Sequence, residues 1–142
     1  MFYMFELFEH QADVGIRGIG SSLKEAFEET GKALFSVMTD LKKVEGLKKV
    51  QFSAVGIDRE NLFINYLNEL IYLKDAKGML FSSFKITELE KKGSSWYLKG
   101  GAFGEKISKK FPLKTDVKAA SYSLLKIGKK DNKFIAQCVV DI

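Results

Sequence analysis

Only one cysteine, Cys138, occurs in the 142 residues, so neither an internal disulfide framework nor a cysteine-based zinc site can form within one chain. His10 is the only histidine, which removes a histidine-based zinc site as well. No apolar run approaches the roughly 20 residues that a membrane-spanning helix needs. The start, Met1-Phe2-Tyr3-Met4-Phe5-Glu6, has neither a basic n-region nor a small-residue cleavage site, so it does not read as a signal peptide. These absences together point to the cytoplasm and to no membrane contact. No Gly-x-Ser-x-Gly elbow occurs, so a Ser-His-Asp triad has no local support. The glycine-rich stretch 15–22 leads into a helix but lacks both Gly-x-Gly-x-x-Gly and the Gly-Lys-Ser/Thr ending of a P-loop. A tight strand-to-helix turn explains its glycines. There is no repeat, no low-complexity tract and no linker, so one domain over 1–142 is expected.

Charge is abundant but uneven. The net charge is +5; residues 1–84 carry 10 Lys/Arg against 12 Asp/Glu, and residues 85–142 carry 13 Lys against 6 Asp/Glu. A basic half attracts phosphates or an acidic protein surface, or is simply a solvated lysine face. The excess is all lysine, a point charge rather than a bidentate fork. These lysines are spread along several segments rather than along one helix, and Trp96, Tyr97 and the phenylalanines show no RNP-like pattern.

Hydrophobic periodicity supplies the elements. Residues 2–8 and 14–19 read as strands. Ser22-Leu23-Lys24-Glu25 fits a capping box, opening a helix to about Thr39. Residues 49–55 read as a strand, Asp58 as the cap of a second helix, and Gly78 as its stop. Strand-like runs follow at 79–89, 95–103, 117–127 and 133–140, with turns at Gly93-Ser94 and Lys129 to Asn132; Pro112 marks an irregular connection between the two pairs. The expected fold is α+β: a single two-layer domain with two main helices packed on a mostly antiparallel or mixed sheet.

Several acidic groups lie at the ends of these elements. Asp13 precedes the second strand, Asp40 follows the first helix, and Asp141 follows the last strand. If the first, second and last strands lie side by side, these oxygens and those of Ile142 converge. Clustered carboxylates repel unless a cation or protons sit among them, and an all-oxygen set suits Ca²⁺ or Mg²⁺ rather than zinc. Asp13 and Asp40 can equally serve as turn and helix-end residues, and Asp141 as a solvated tail. For His10 two roles stay open: a general base or ligand, and a structural hydrogen-bonding residue. Cys138, in an apolar strand without basic neighbours, reads as buried and inert.

Four segments resemble the archease family. They are Phe8-Glu9-His10-Gln11-Ala12-Asp13-Val14-Gly15-Ile16, Leu34-Phe35-Ser36-Val37-Met38-Thr39-Asp40, Asn65-Tyr66-Leu67-Asn68-Glu69-Leu70-Ile71-Tyr72-Leu73, and Val117-Lys118-Ala119-Ala120-Ser121-Tyr122 with the ending Val139-Val140-Asp141-Ile142. They fall in the family's order and span nearly the whole chain. The resemblance implies a non-enzymatic activator of the tRNA-splicing RNA ligase, which joins RNA ends bearing a 2′,3′-cyclic phosphate and a 5′-hydroxyl. It implies that the chain promotes guanylylation and turnover of that ligase, with RNA contact indirect. It also implies a chaperone-like link to a tRNA cytosine methyltransferase as the alternative partner. A divalent cation is implied, Ca²⁺ first, with Mg²⁺ or Mn²⁺ next. Asp13 and Asp141 would be its carboxylate ligands, Ile142 a main-chain or terminal-oxygen ligand, and Asp40 a nearby oxygen. Lys118 and His10 would act in partner activation. The chain departs from the family pattern at Gln11 and Ser123, and at Gly101, Gly104 and Ile107, where family Glu, Asp and His residues are missing. Two further readings are a metal-dependent phosphoesterase, for which only His10 offers a base, and an RNA-binding helper using the basic half.

Overall fold

A computed structural model describes residues 2–142. The order is β1 (Met4–His10), β2 (Asp13–Gly20), α1 (Leu23–Met38), a 3-10 turn (Leu41–Lys43), β3 (Lys48–Gly56), α2 (Arg59–Lys77), β4 (Met79–Lys92), β5 (Ser95–Lys106), β6 (Ala119–Lys130) and β7 (Lys133–Asp141). The α+β class and antiparallel pairing are as expected. The strands divide, however, between a four-stranded sheet β1-β2-β7-β6 and a three-stranded sheet β3-β5-β4. The 12 residues between β5 and β6, containing Pro112, carry the chain from one sheet to the other.

The helices begin and end where their side chains satisfy free backbone groups. Ser22 Oγ accepts the Glu25 N–H at 3.1 Å. The reciprocal half of the capping box is displaced by one residue: Glu25 Oε1 accepts the Ser21 N–H at 2.7 Å, and the Ser21 hydroxyl adds a second donor at 3.0 Å. Asp58 Oδ1 accepts the Asn61 N–H at 2.7 Å, and α2 stops at Gly78 with φ +60°, the left-handed cap that glycine adopts without a Cβ penalty. Asp58→Ala should therefore cost about 1 kcal/mol and lower the melting temperature by roughly 3–5 °C. An unchanged thermal melt would remove the cap from any account of stability.

Each helix touches both sheets. On α1, the Thr30 hydroxyl donates to Ala26 O at 2.7 Å and lies 3.2 Å from Ala136 O of β7, while Phe35 packs on Phe81 and Phe84 of β4. On α2, Tyr66 packs on Phe52 of β3 and on Phe27 of α1, and its buried hydroxyl donates to Phe27 O at 2.9 Å. Such burial of large rings is the main stabilising contribution of this core.

Helix α2 also carries polar pins. Asn61, Asn65 and Asn68 recur at helical spacing. Asn65 donates to Val55 O of β3 at 2.8 Å; Asn61 donates to the Tyr122 hydroxyl at 2.8 Å; and Asn68 Oδ1 accepts the Ala120 N–H at 2.9 Å. Two of the three therefore fix the start of β6.

Candidate functional site

The strand order places β2 between β1 and β7, and β6 on the far side of β7. His10 pairs with Asp13, Val14 with Val140, and Asp141 with Ala119. Asp13 and Asp141 thus stand one step beyond the last β2–β7 pair. Residues facing one another across antiparallel strands share a face. The Val14, Ile16, Cys138 and Val140 positions face the helices, so Asp13 and Asp141 share the opposite, outer face at this end of the sheet. The Ile142 N–H approaches Asp13 Oδ1 at 3.5 Å, a long contact that records proximity more than energy.

Lys118 belongs to the same corner. Its N–H donates to Asp141 O at 2.8 Å, and its side chain is exposed. The approach to it is held firmly. Phe111 and Val117 are buried, the Thr39 hydroxyl donates to Pro112 O at 3.0 Å, and the N–H groups of Lys114 and Thr115 donate to Met38 O at 2.9 Å and Val37 O at 3.2 Å. Those two carbonyls are the open end of α1, so residues 111–118, a strap across that end, also cap the helix. Lys74 of α2 adds an ion pair to Asp116 at 2.8 Å and to Asp75 at 3.3 Å. Burial works against the Lys74 charge, but its bonds to Asp116 and Asp75 outweigh that and hold its pKa above the usual lysine value; the same bond holds Asp116 below the usual aspartate range.

Asp40 reaches the same end of the molecule by a different route. Helix α1 lies antiparallel to β2, with Gly20 beside Glu25 and Gly18 beside Thr30. Its 16 residues rise about 24 Å, close to the length of the eight-residue β2, and so return the chain to the Asp13 end. The Asp40 carboxylate is then used locally, capping the 3-10 turn by accepting the Lys42 N–H at 3.1 Å. His10 is half-buried at the end of β1, and its ring makes no hydrogen bond among the described residues.

The donor chemistry at the corner fits a hard cation: two carboxylates, from Asp13 and Asp141, with Ile142, whose N–H approaches Asp13, beside them. Among the described residues, however, no three His, Cys, Asp or Glu side chains are arranged to hold a metal ion. A cation here would draw the rest of its shell from main-chain oxygens, water or a partner. Cys138 is buried as expected; burial, with the nearby Asp141 charge, pushes its thiol up to about 12, so it stays protonated and unreactive at neutral pH.

Sequence reading missed the strap's anchors, Lys74 and Asp116, and an irregularity in β6. The register slips between Ser121 and Lys126, and Leu124 sits at φ +50°. Its carbonyl is held by Gln137 Nε2 at 3.0 Å. The asparagines of α2 were the available signal for the β6 anchoring, because half-buried amides at i, i+4 and i+7 share one helix face and find partners on the strands beside it.

These features define an α+β protein with an acidic corner at one sheet end and an adjoining, strapped lysine. A family model described as "Archease protein family (MTH1598/TM1083)" matches residues 5–142. The archease of Pyrococcus furiosus is 41% identical over 140 residues, covering 97% of this chain and 98% of the relative. That of Sulfurisphaera tokodaii is 43% identical over 139 residues, with the same coverage. The solution structure of Methanobacterium thermoautotrophicum protein 1598 matches with a TM-score of 0.84 at 33% identity, covering 97% of this chain and 98% of that one. A Thermotoga maritima structure, described as an archease and possible chaperone, shares the fold at a TM-score of 0.57 and 19% identity, over 96% of each chain. The chain belongs to the archease protein family.

Proposed function

We propose that this chain is a non-enzymatic, cytoplasmic activator of the tRNA-splicing RNA ligase, working with a divalent cation, Ca²⁺ first, at the Asp13–Asp141 corner. Family membership supports the choice of partner, through what resemblance to archeases implies. The observation that carries the site is the convergence of Asp13, Lys118 and the pair Asp141-Ile142, from three separate parts of the chain, at one sheet end. A cation bound there supplies fixed positive charge beside that of Lys118. The chain's own contribution is placement. The Lys118 N–H bond to Asp141 and the strap on α1 hold the lysine beside the carboxylates, where it can meet phosphate or nucleotide charge in the ligase active site. His10, opposite Asp13, lies on the same row and within reach of the same partner surface. Asp40 contributes through its cap at this end rather than as a principal ligand.

The test is multiple-turnover ligation by the cognate ligase, with and without this protein, comparing wild type with Asp141→Ala. Wild type should stimulate, and the variant should lose roughly tenfold or more of that stimulation while keeping its fold. Wild type that leaves turnover unchanged would discard the ligase as partner and favour a methyltransferase-type client.

A further inference from the structure

The lysines that look scattered in sequence are partly gathered by register. On β6 and β7, Lys126 pairs with Gln137, Gly128 with Ile135, and Lys130 with Lys133. On β7 and β2, Gln137 pairs with Arg17 and Ile135 with Ile19. All these residues lie on the outer face of the four-stranded sheet, away from the helices. All but Lys133 line a trough of about 510 Å³ toward the β6–β7 tip, with half-buried Ile19 and Ile135 on its floor, Lys126, Lys129 and Lys130 along one wall, and Glu6, paired with Arg17, on the other side. At Gly128 the trough is open: a Cβ there would meet nothing within 4 Å.

Lys129 Nζ lies 5.5 Å from the Phe134 ring centroid, but no carboxylate among the described residues neutralises a charge of that wall. Lys126, Lys129, Lys130 and Lys133 form no salt bridge among the described residues. Arg17, by contrast, is committed: Nε donates to Gln137 Oε1 at 2.8 Å, Nη1 pairs with Glu6 at 3.3 Å, and the guanidinium lies 4.6 Å from the Phe8 ring centroid. The trough therefore has no free fork for reading a carboxylate or a base edge. It offers a row of point charges instead. Lys126 and Lys130, four residues apart on one strand, are about 13 Å apart along it, which suits an extended polyanion passing over an apolar floor.

We propose that this trough binds the phosphate backbone of RNA directly and without sequence selectivity. The choice of RNA among polyanions rests on the proposed role beside an RNA ligase; the geometry supplies the charge row and the absence of base-reading groups. The ligase would then hold the RNA ends while this sheet face tracks an adjoining strand.

The probe is a fluorescently labelled single-stranded RNA titrated with the intact protein at several salt concentrations. With about three phosphates neutralised, log affinity should fall against log salt with a slope of about −2. The K126E/K130E variant should bind roughly tenfold or more weakly at about 50 mM salt, with a flatter slope and an unchanged thermal melt. K85E/K99E, on the three-stranded sheet, changes the net charge equally and should shift affinity less than about twofold. Equal losses in the two variants, no RNA binding by wild type at about 50 mM salt, or tighter binding of polyglutamate than of RNA would each overturn the trough as an RNA site. Ligation assays separate this outcome from the proposed function. A wild type that binds RNA as described yet never stimulates the ligase sinks the activator role alone. One that stimulates while K126E/K130E still binds RNA normally sinks only the trough.

Discussion

Gly18→Ala should destabilise the protein by about 3 kcal/mol or more and lower its melting temperature by roughly 10 °C or more. The added Cβ would collide with the Ala26 carbonyl oxygen and the Thr30 hydroxyl, and would lie 2.5 Å from Thr30 N. Two of these are backbone atoms in the body of α1, so no rotamer change relieves the clash. The helix would have to lift off β2. That would strain the Thr30 bonds, which run from its hydroxyl to Ala26 O and Ala136 O. It would also disturb the Met38 end, where the strap leading to Lys118 is fastened. The matched control is Gly128→Ala. Its Cβ meets nothing within 4 Å and its φ is not in the left-handed region, so the change should be neutral within about 0.5 kcal/mol, or slightly stabilising through a stiffer unfolded chain. Paired urea melts decide the matter. A Gly18→Ala midpoint close to wild type would mean that α1 and β2 pack with slack that the distances deny.

The features legible in sequence are those written locally. Asp58 and Gly78 bracket α2 because a cap and a left-handed stop act within one turn, and the Gly93-Ser94 turn joins β4 to β5 because two residues suffice for a hairpin. What sequence could not supply is pairing. Nothing near β5 says that it will sit between β3 and β4 while β6 crosses to the other sheet. The slip in β6 is equally hidden: Tyr122-Ser123-Leu124-Leu125 contains no glycine, yet Leu124 takes a positive φ because Gln137 holds its carbonyl and Asn61 holds Tyr122. The acidic corner was legible only conditionally, as what would follow if β2 and β7 were neighbours. The strand order satisfies that condition. Asp40 lies toward the Asp13 end of the molecule, but its carboxylate is used in a local cap. The lysines show the converse, since alternate residues of β6 look dispersed in one dimension and share a face in three.

The corner's proposed cation site makes a thermodynamic prediction that needs no ligase. Two carboxylates on one face of one sheet end repel each other, so without a cation they subtract from stability. Asp13→Asn with Asp141→Asn keeps both shapes and removes both charges. In chelator, the double variant should melt at or slightly above the wild-type temperature. A cation that binds only the folded chain adds stability as RT ln(1 + [L]/Kd), about 2.7 kcal/mol at a hundred times Kd. Wild type should therefore gain roughly 10 °C in saturating Ca²⁺, and the double variant almost nothing. The comparison is internal to each protein, chelator against Ca²⁺, so a small change in the basal stability of the variant does not enter. Screening by salt alone would raise both proteins alike, and a matched concentration of Na⁺ measures it. Lys118→Ala serves as the third arm. Its side chain is exposed and only its N–H holds Asp141, so it should keep the full Ca²⁺ gain while weakening ligase stimulation. An equal Ca²⁺ gain in wild type and in the double variant would move the cation elsewhere on the protein. No gain in wild type would leave the two carboxylates as surface charges, and the proposed ligase contact would then rest on Lys118 without a metal beside it.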